Sequence, residues 1–313
     1  MKNQQLQIIE FGAPSVLALA QSELTALSEG DVLVKVAFAG VNPVDAKTRA
    51  GLGWAAERCK DALPWTPGFD FSGEIVAVGE GVSQKWQEGA RVAGLTLDGG
   101  CYAEYLVIKE DKLVEVPENI SLKEAAATPL AALTALQALQ KGGLSEDDRV
   151  LILAGAGGVG HFAIQFANEH GAQVYASCSS KNVAFVQALG ANALDYTQGD
   201  LDIDGVDLLI DLVGGHVGEK ALGCVKKGGR VVTIPSVTAA SIIEHAEKLG
   251  LAASGMLVEP DNELCSEIFR MLANEAVTVT VSEQFALSEG DEAHTAIETG
   301  RTRGKLVLAI AGA

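Results

Sequence analysis

One stretch constrains this chain more than any other: Arg149-Val-Leu-Ile-Leu-Ala154, an apolar run of strand length, leads into Gly155-Ala-Gly157-Gly158-Val-Gly160 and then into a helical pattern closed by Gly171. A strand that turns through GxGxxG into a helix begins a βαβ unit, and such a unit belongs to a parallel sheet with helices on both faces. The expected roles are mechanical. Gly155 permits the tight turn, Gly157 lets the backbone approach a pyrophosphate, and Gly160 lets the helix pack against the strand. The N–H groups of Gly158, Val159 and Gly160 then present a positive helix end to an anion.

The surrounding pattern agrees. Helix is expected from Val159 to His170 and again up to Leu189, closed by Gly190. Strands are expected at Gln173 to Ser177, Val206 to Leu212, Arg230 to Ile234 and Leu251 to Leu257, the last two each following a helix that ends at glycine (Gly228, Gly250). From Gln5 to about Val116 the rhythm is different, with short strands between glycine turns. The clearest is Asp31 to Phe38, where Val32, Val34 and Val36 oppose Leu33, Lys35 and Ala37. After Pro117, Ser121-Leu-Lys-Glu124 fits a capping box opening an Ala-rich helical region to about Lys141. Past Glu259 come a helix (Asn262 to Asn274), a β stretch (Val277 to Phe285) and a closing strand (Lys305 to Ile310). The reading is α/β with two domains: residues 1–121 and 260–313 form a β-rich unit, and residues 122–259 a Rossmann, doubly wound parallel sheet.

With 41 acidic against 23 basic residues the net charge is −18, which opposes a phosphate backbone or an anionic membrane, so neither nucleic acid nor membrane is an expected partner. The first residues show no export signal. Five scattered cysteines (Cys59, Cys101, Cys178, Cys224, Cys265) form no CxxC pair, which fits a reducing, cytoplasmic setting. The longest uncharged stretch, residues 150–168, contains His161, Gln165 and the glycine turn, and reads as strand, turn and buried helix rather than a membrane span.

About twenty residues past the glycine turn, an NAD-type site carries an acid for the ribose 2′-hydroxyl. Here that place reads Cys178-Ser179-Ser180-Lys181, with no acid. A lysine and two hydroxyls suit a 2′-phosphate, so NADPH is the expected cofactor, with Tyr196 at the end of the third strand as a second contact. The competing reading makes Ser-Ser-Lys an ordinary polar strand end that caps the next helix.

Several ordered motifs together resemble the zinc-independent medium-chain dehydrogenases/reductases, in the quinone oxidoreductase and enone (alkenal) reductase branch. They are Gly40-Val-Asn-Pro-Val-Asp-Ala-Lys47, Pro67-Gly-Phe-Asp-Phe-Ser-Gly-Glu74, Ala127-Thr-Pro-Leu-Ala-Ala-Leu-Thr-Ala135, Gly155 to Gly160 and Gly304-Lys305-Leu-Val-Leu308. The resemblance covers essentially the whole chain. It implies a GroES-like β-barrel catalytic domain built from both chain ends, a Rossmann domain between them, and a homodimer. Zinc alcohol dehydrogenases of the same superfamily carry a cysteine where this chain has Asn42 or Pro43, and a histidine where it has Phe69. Phenylalanine cannot bind a metal. His161, His170, His216, His245 and His294 are not paired at ligand spacing.

The resemblance places Asn42, Asp45 and Lys47 toward the nicotinamide. Asn42 is the candidate for a bond to the ribose or the substrate oxygen, Lys47 for the donor to a developing enolate, and Asp45 for orienting either. The bland alternative has Asn42 and Asp45 shaping the loop around Pro43, with Lys47 solvated. Met256 and Leu257 are candidates to cover the nicotinamide; Thr134, Val213, Ile234 and Lys305 complete the implied cofactor contacts. Trp54, Trp65 and Phe69 are candidates to line a slot for a planar quinone or a small α,β-unsaturated carbonyl. Two other readings stay open: an NADPH-binding sensor or structural protein with little catalysis, and an enoyl-thioester reductase. The latter commonly has a tyrosine donor where this chain has Trp54.

Overall fold

The computed structural model describes residues 2–310. The chain forms two compact units, one from the described parts of Met1–Leu130 and Pro260–Ala313, the other from Ala131–Glu259.

The first unit opens with β1 (Lys2–Ile8), β2 (Leu17–Glu23) and β3 (Asp31–Val41), followed by short helices α1 (Pro43–Arg49) and α2 (Gly53–Cys59). It continues through β4 (Asp70–Val78), β5 (Arg91–Leu95), β6 (Tyr105–Lys109), β7 (Val114–Glu115) and α3 (Leu122–Ala126). α4 (Pro129–Lys141) leads into the second unit, which contains β8 (Arg149–Ile152), α5 (Gly160–Glu169), β9 (Gln173–Cys178), α6 (Val183–Ala188) and β10 (Asn192–Asp195). β11 (Val206–Asp211), α7 (Gly215–Ala221), β12 (Val225–Thr233), α8 (Ala239–Lys248) and β13 (Ala252–Gly255) complete that unit. The chain then returns to the first unit with α9 (Asn262–Ala273), β14 (Val281–Ala286), α10 (Gly290–Glu298) and β15 (Lys305–Ala309).

The first unit is organised by β3. Its lower half pairs with β6, its upper half with β15, and its other edge with β4, all antiparallel. The C-terminal strand therefore lies beside an N-terminal one, in a seven-stranded sheet running β14-β15-β3-β4-β5-β7 with β6 on β3. This sheet is GroES-like in its strands but open in its hydrogen bonding, because no ladder joins β14 to β7. The alternation read from the sequence holds: Val32, Val34 and Val36 are fully buried, while Lys35 between them is exposed. Together with Phe71, Ile75, Leu306 and Leu308 they form the core of the unit.

The second unit is a six-stranded parallel sheet in the order β10-β9-β8-β11-β12-β13. Counted within the unit this is 3-2-1-4-5-6, the doubly wound dinucleotide-binding order. Its topological switch point falls between β8 and β11, outside the carboxyl ends of the strands.

The Ala-rich region expected as one helix from Ser121 to Lys141 is two. The capping box is present, Glu124 N–H donating to Ser121 Oγ (3.2 Å) and Ser121 N–H to Glu124 Oε2 (3.0 Å). The break falls before Pro129, which lacks an N–H and disfavours the helical conformation of the residue ahead of it. The β stretch expected from Val277 begins only at Val281.

Phe71 on β4 is fully buried in the core of the first unit. Phe71→Ala is expected to cost about 3–5 kcal/mol, read as a lowered midpoint in chemical denaturation. A loss below about 1 kcal/mol would contradict this packing.

Candidate functional site

The carboxyl ends of the parallel strands gather most residues expected at the cofactor. After β8 the chain turns through Ala154, whose φ of +53° makes it the left-handed residue of the turn. That role was expected of Gly155, and the correction is instructive. Gly155 is required instead by proximity, since a Cβ there would lie 2.6 Å from the Ala176 Cβ on β9. Gly160 is required in the same way, its Cβ falling 2.3 Å from the Ala154 carbonyl oxygen. At Gly157 a Cβ would lie 3.3 Å from the Ala154 carbonyl oxygen, a tight contact that is less severe than at the other two. The N–H groups of Gly158, Val159 and Gly160 have no acceptor among the described residues and stand at the N-terminus of α5. This cradle fits a pyrophosphate.

Beyond the switch point, buried Asp211 shapes the end of β11. Its Oδ1 accepts the N–H groups of Val213 (3.0 Å) and Gly214 (2.7 Å), and its Oδ2 accepts the Thr233 hydroxyl (2.8 Å). Val213 is thereby held on the surface, 42% exposed. Ile234 and Met256 follow half-buried at the ends of β12 and β13, with Leu257 exposed beyond. Thr134 is buried on α4.

At the end of β9, Ser179 is half-buried and Ser180 and Lys181 are exposed. Tyr196 is exposed alongside, its N–H donating to the Cys178 carbonyl (3.1 Å). One residue the sequence reading missed lies among them. The parallel register sets Asp195 of β10 opposite Cys178, and its Oδ2 accepts the Ser180 hydroxyl at 2.6 Å. The place is thus not free of acid. The signal that points to it is the equal ending of two adjacent strands, which sets Asp195 beside Cys178 directly before Tyr196.

The first unit holds the other expected residues, and here the structure corrects two of them. Asn42 caps α1 and is 1% exposed. Its Nδ2 donates to Asp70 Oδ1 (2.9 Å), and its Oδ1 accepts a bond from Lys305 Nζ. Only the second amide proton is uncommitted. Asp45, expected near the chemistry, is fully buried, and its oxygens accept the N–H groups of Asn42 (2.9 Å) and Gly68 (3.0 Å). It is part of the scaffold of α1. Lys305, expected to touch the cofactor, is 3% exposed and spends its ammonium on Asn42, the Val41 carbonyl (3.3 Å) and Asp70 at 4.0 Å. It is an internal cation of the fold. Lys47, in the last turn of α1, is half-buried and makes no ion pair with another described residue.

Two buried carboxylates share one buried cation in this cluster. Burial drives the Asp45 carboxyl up to about 7, the like charge of Asp70 adding to the shift and the backbone bonds opposing it. Burial also raises Asp70, which Lys305 and Asn42 pull back, and lowers Lys305, which both acids pull up. One cation cannot neutralise two desolvated carboxylates, and Asp45 takes the proton.

Trp54, Trp65, Arg58 and Leu97 line a cavity of about 130 Å³ in the first unit. Phe69 stands behind it, fully buried, its ring 5.7 Å from Trp54 and 6.0 Å from Trp65. The lining is not wholly apolar, since Arg58 pairs with Asp98 at 3.1 Å.

Family models match two stretches of the chain. Residues 28–118 match an alcohol dehydrogenase GroES-like domain, and residues 189–308 match a zinc-binding dehydrogenase. The chain is 33% identical to the 2-methylene-furan-3-one reductase of Solanum lycopersicum over 96% of its own length and 77% of that protein's. Its fold superposes on the quinone oxidoreductase from Coxiella burnetii with a TM-score of 0.95, at 38% identity and 99% coverage of both chains. On the Escherichia coli quinone oxidoreductase complexed with NADPH the TM-score is 0.86, at 25% identity over 98% of this chain and 99% of that one. The chain therefore belongs to the medium-chain dehydrogenase/reductase superfamily, in its quinone oxidoreductase branch, and is an oxidoreductase of the NAD(P)H-dependent kind. The zinc named by the second model does not fit the residues present. Among the described residues no group of three or more His, Cys, Asp or Glu side chains comes together to hold a metal ion. Nor is any described helix long and apolar enough to cross a membrane.

The buried acid makes stability depend on pH. Asp45 holds its proton to about pH 7 in the folded chain, against an ordinary value of 3.8. Its contribution is fully present below about pH 4 and is lost as pH rises through 7. Asp45→Asn removes this titration, while its amide can accept only one of the two N–H groups. The stability advantage of the native chain over Asp45→Asn, measured by denaturation, is expected to shrink by about 1–3 kcal/mol from pH 5 to pH 8. A gap that stays constant or widens would show that Asp45 is ionised throughout.

Proposed function

We propose that this chain binds NADPH on its Rossmann unit and reduces a quinone or the β-carbon of a small α,β-unsaturated carbonyl, without a metal. The observation that carries the reading is the glycine cradle at the head of α5, set at the switch point of a 3-2-1-4-5-6 sheet, with hydroxyls and a lysine at the end of β9. Gly157, Gly158, Val159 and Gly160 would hold the pyrophosphate, Ser179, Lys181 and Tyr196 the 2′-phosphate, and Val213, Ile234, Met256 and Leu257 the nicotinamide end. When bound, the cofactor supplies the hydride.

The protein's own task is to position the acceptor and to stabilise the oxygen on which negative charge develops. Lys47 is the donor assigned to that oxygen. The scaffold beneath it is stiff, because Asn42 and Asp45 tie both the head of α1 and the Gly68 backbone, and Thr48 bonds the Val44 carbonyl at 2.7 Å. The cavity beside Trp54 and Trp65 is the place assigned to a planar acceptor. The names of the relatives support both acceptor types, a quinone in one case and a methylene-furanone in the other. As implied by the resemblance, the working form is a homodimer, which sedimentation would check, and the scattered cysteines suit a reducing, cytoplasmic setting.

The test is NADPH oxidation by chelator-treated protein with 1,4-benzoquinone, 9,10-phenanthrenequinone, acrolein and 3-buten-2-one, with NADH in parallel. Chelator-resistant turnover is expected; tight NADPH binding with no turnover on any acceptor would overturn the reductase reading in favour of a sensor. Lys47→Ala is expected to lower kcat roughly 10²-fold with nicotinamide affinity unchanged, and full retention of kcat would remove Lys47 from its role. Lys181→Ala is expected to weaken NADPH binding about 10- to 100-fold while changing NADH by less than about twofold. Equal losses for both would refute the phosphate assignment.

A further inference from the structure

Ser180 does not stand free to receive a phosphate. Its Oγ lies 2.6 Å from Asp195 Oδ2 and 2.6 Å from Thr197 Oγ1, while the Thr197 hydroxyl lies 2.7 Å from Asp195 Oδ1. The Thr197 N–H closes the group from below, donating to Asp195 Oδ1 at 2.9 Å. A carboxylate only accepts, so the two hydroxyl protons must serve three oxygen–oxygen contacts, and both are used up inside the cluster. The Ser180 bond, then those of Thr197, hold the Asp195 carboxyl below the usual carboxylate range, so the side chain carries its full charge at neutral pH.

We propose that Asp195 is the coenzyme-specificity residue of this chain: its carboxylate accepts the ribose 2′-hydroxyl of NADH and repels the 2′-phosphate of NADPH, so that both nicotinamides are used and the preference for NADPH is shallow. The proposal rests on the nicotinamide-binding reading above and deepens it. Lys181 and Asp195 act in opposite directions on one position. The lysine favours a phosphate dianion, while the carboxylate penalises it and also withholds the Ser180 proton that would otherwise reach it. The carboxylate comes from the third strand rather than the second, and the parallel register sets it beside the end of the second strand, where an NAD site carries its acid.

The chemistry of Asp195→Asn follows from the bonds. The Thr197 N–H fixes the amide oxygen at the Oδ1 position, so the amide nitrogen falls beside Ser180 and donates to its Oγ. The charge is then gone, and the Ser180 proton, no longer held by a carboxylate, can turn to Thr197 Oγ1 or outward to a phosphate. Binding of NADPH and NADH to the whole chain, followed by calorimetry without acceptor, reads both effects independently of turnover. Asp195→Asn is expected to tighten NADPH about tenfold and to weaken NADH several-fold, about fivefold.

Ser180→Ala supplies a second reading that a merely structural role would not move. In the native background it should change NADPH affinity by less than about twofold. In the Asp195→Asn background it should cost about fivefold, because only there is the hydroxyl proton available. An unchanged ratio of the two affinities in Asp195→Asn, with both nicotinamides bound by the native chain, would overturn the role of Asp195 alone. Failure of the native chain to bind either nicotinamide would overturn this proposal and the reading beneath it together.

Discussion

The first unit depends on one buried ammonium. Lys305 comes from the last strand, yet its Nζ sits among groups from the end of β3 and the start of β4, bonding the Val41 carbonyl and Asn42 and facing Asp70. Three segments far apart in the chain are joined at one point inside a dry core. Removing any one member leaves charged or polar partners buried without compensation, a far larger cost than the net value of the bonds themselves. The C-terminal strand is thereby committed to β3 by electrostatics as well as by its ladder, and the head of α1 is locked as a consequence. Asp45 extends the lock to Gly68 at the cost of holding a proton near neutrality.

On the proposed reading, this arrangement separates support from chemistry. Asn42 and Asp45 are consumed by the fold, whereas Lys47, four residues after Pro43 on the same short helix, pairs with no described carboxylate. A rigid helix head carrying a cation one turn later is a way to hold a donor in place, and preorganised donors stabilise developing charge because they need no reorientation when it forms. The Rossmann unit follows a similar logic with backbone groups. Gly155 and Gly160 give up side chains so that strand, turn and helix pack closely, and the N–H groups of the turn are left to face outward.

The balance at the end of β9 is of a different kind. There the side chains are exposed or half-buried, and on the proposed reading two opposite charges act on one ligand group: Lys181 from the loop after one strand, Asp195 from the end of its neighbour. Such sites are tuned by small differences rather than fixed by burial, and a single hydroxyl proton, that of Ser180, can be turned toward one partner or the other.

Much of this was legible in the chain itself. The GxGxxG turn, the helix-ending glycines and the alternation of Val32, Val34 and Val36 specify two units of different class, because periodicity and glycine placement are local properties and local sterics enforce them. The motifs around Asn42 and Lys305 were legible too, but as positions without roles. What only the tertiary structure decided was which polar groups meet. Lys305 and Asp70 are separated by most of the chain, and no pattern along it says that the ammonium turns inward rather than toward a ligand. The left-handed residue of the glycine turn is Ala154, not a glycine, because the demand at Gly155 comes from a neighbouring strand. Asp195 escaped notice for the same reason: its effect on Ser180 arises from the register of two parallel strands, and register is set by packing across the sheet rather than by the residues of either strand alone.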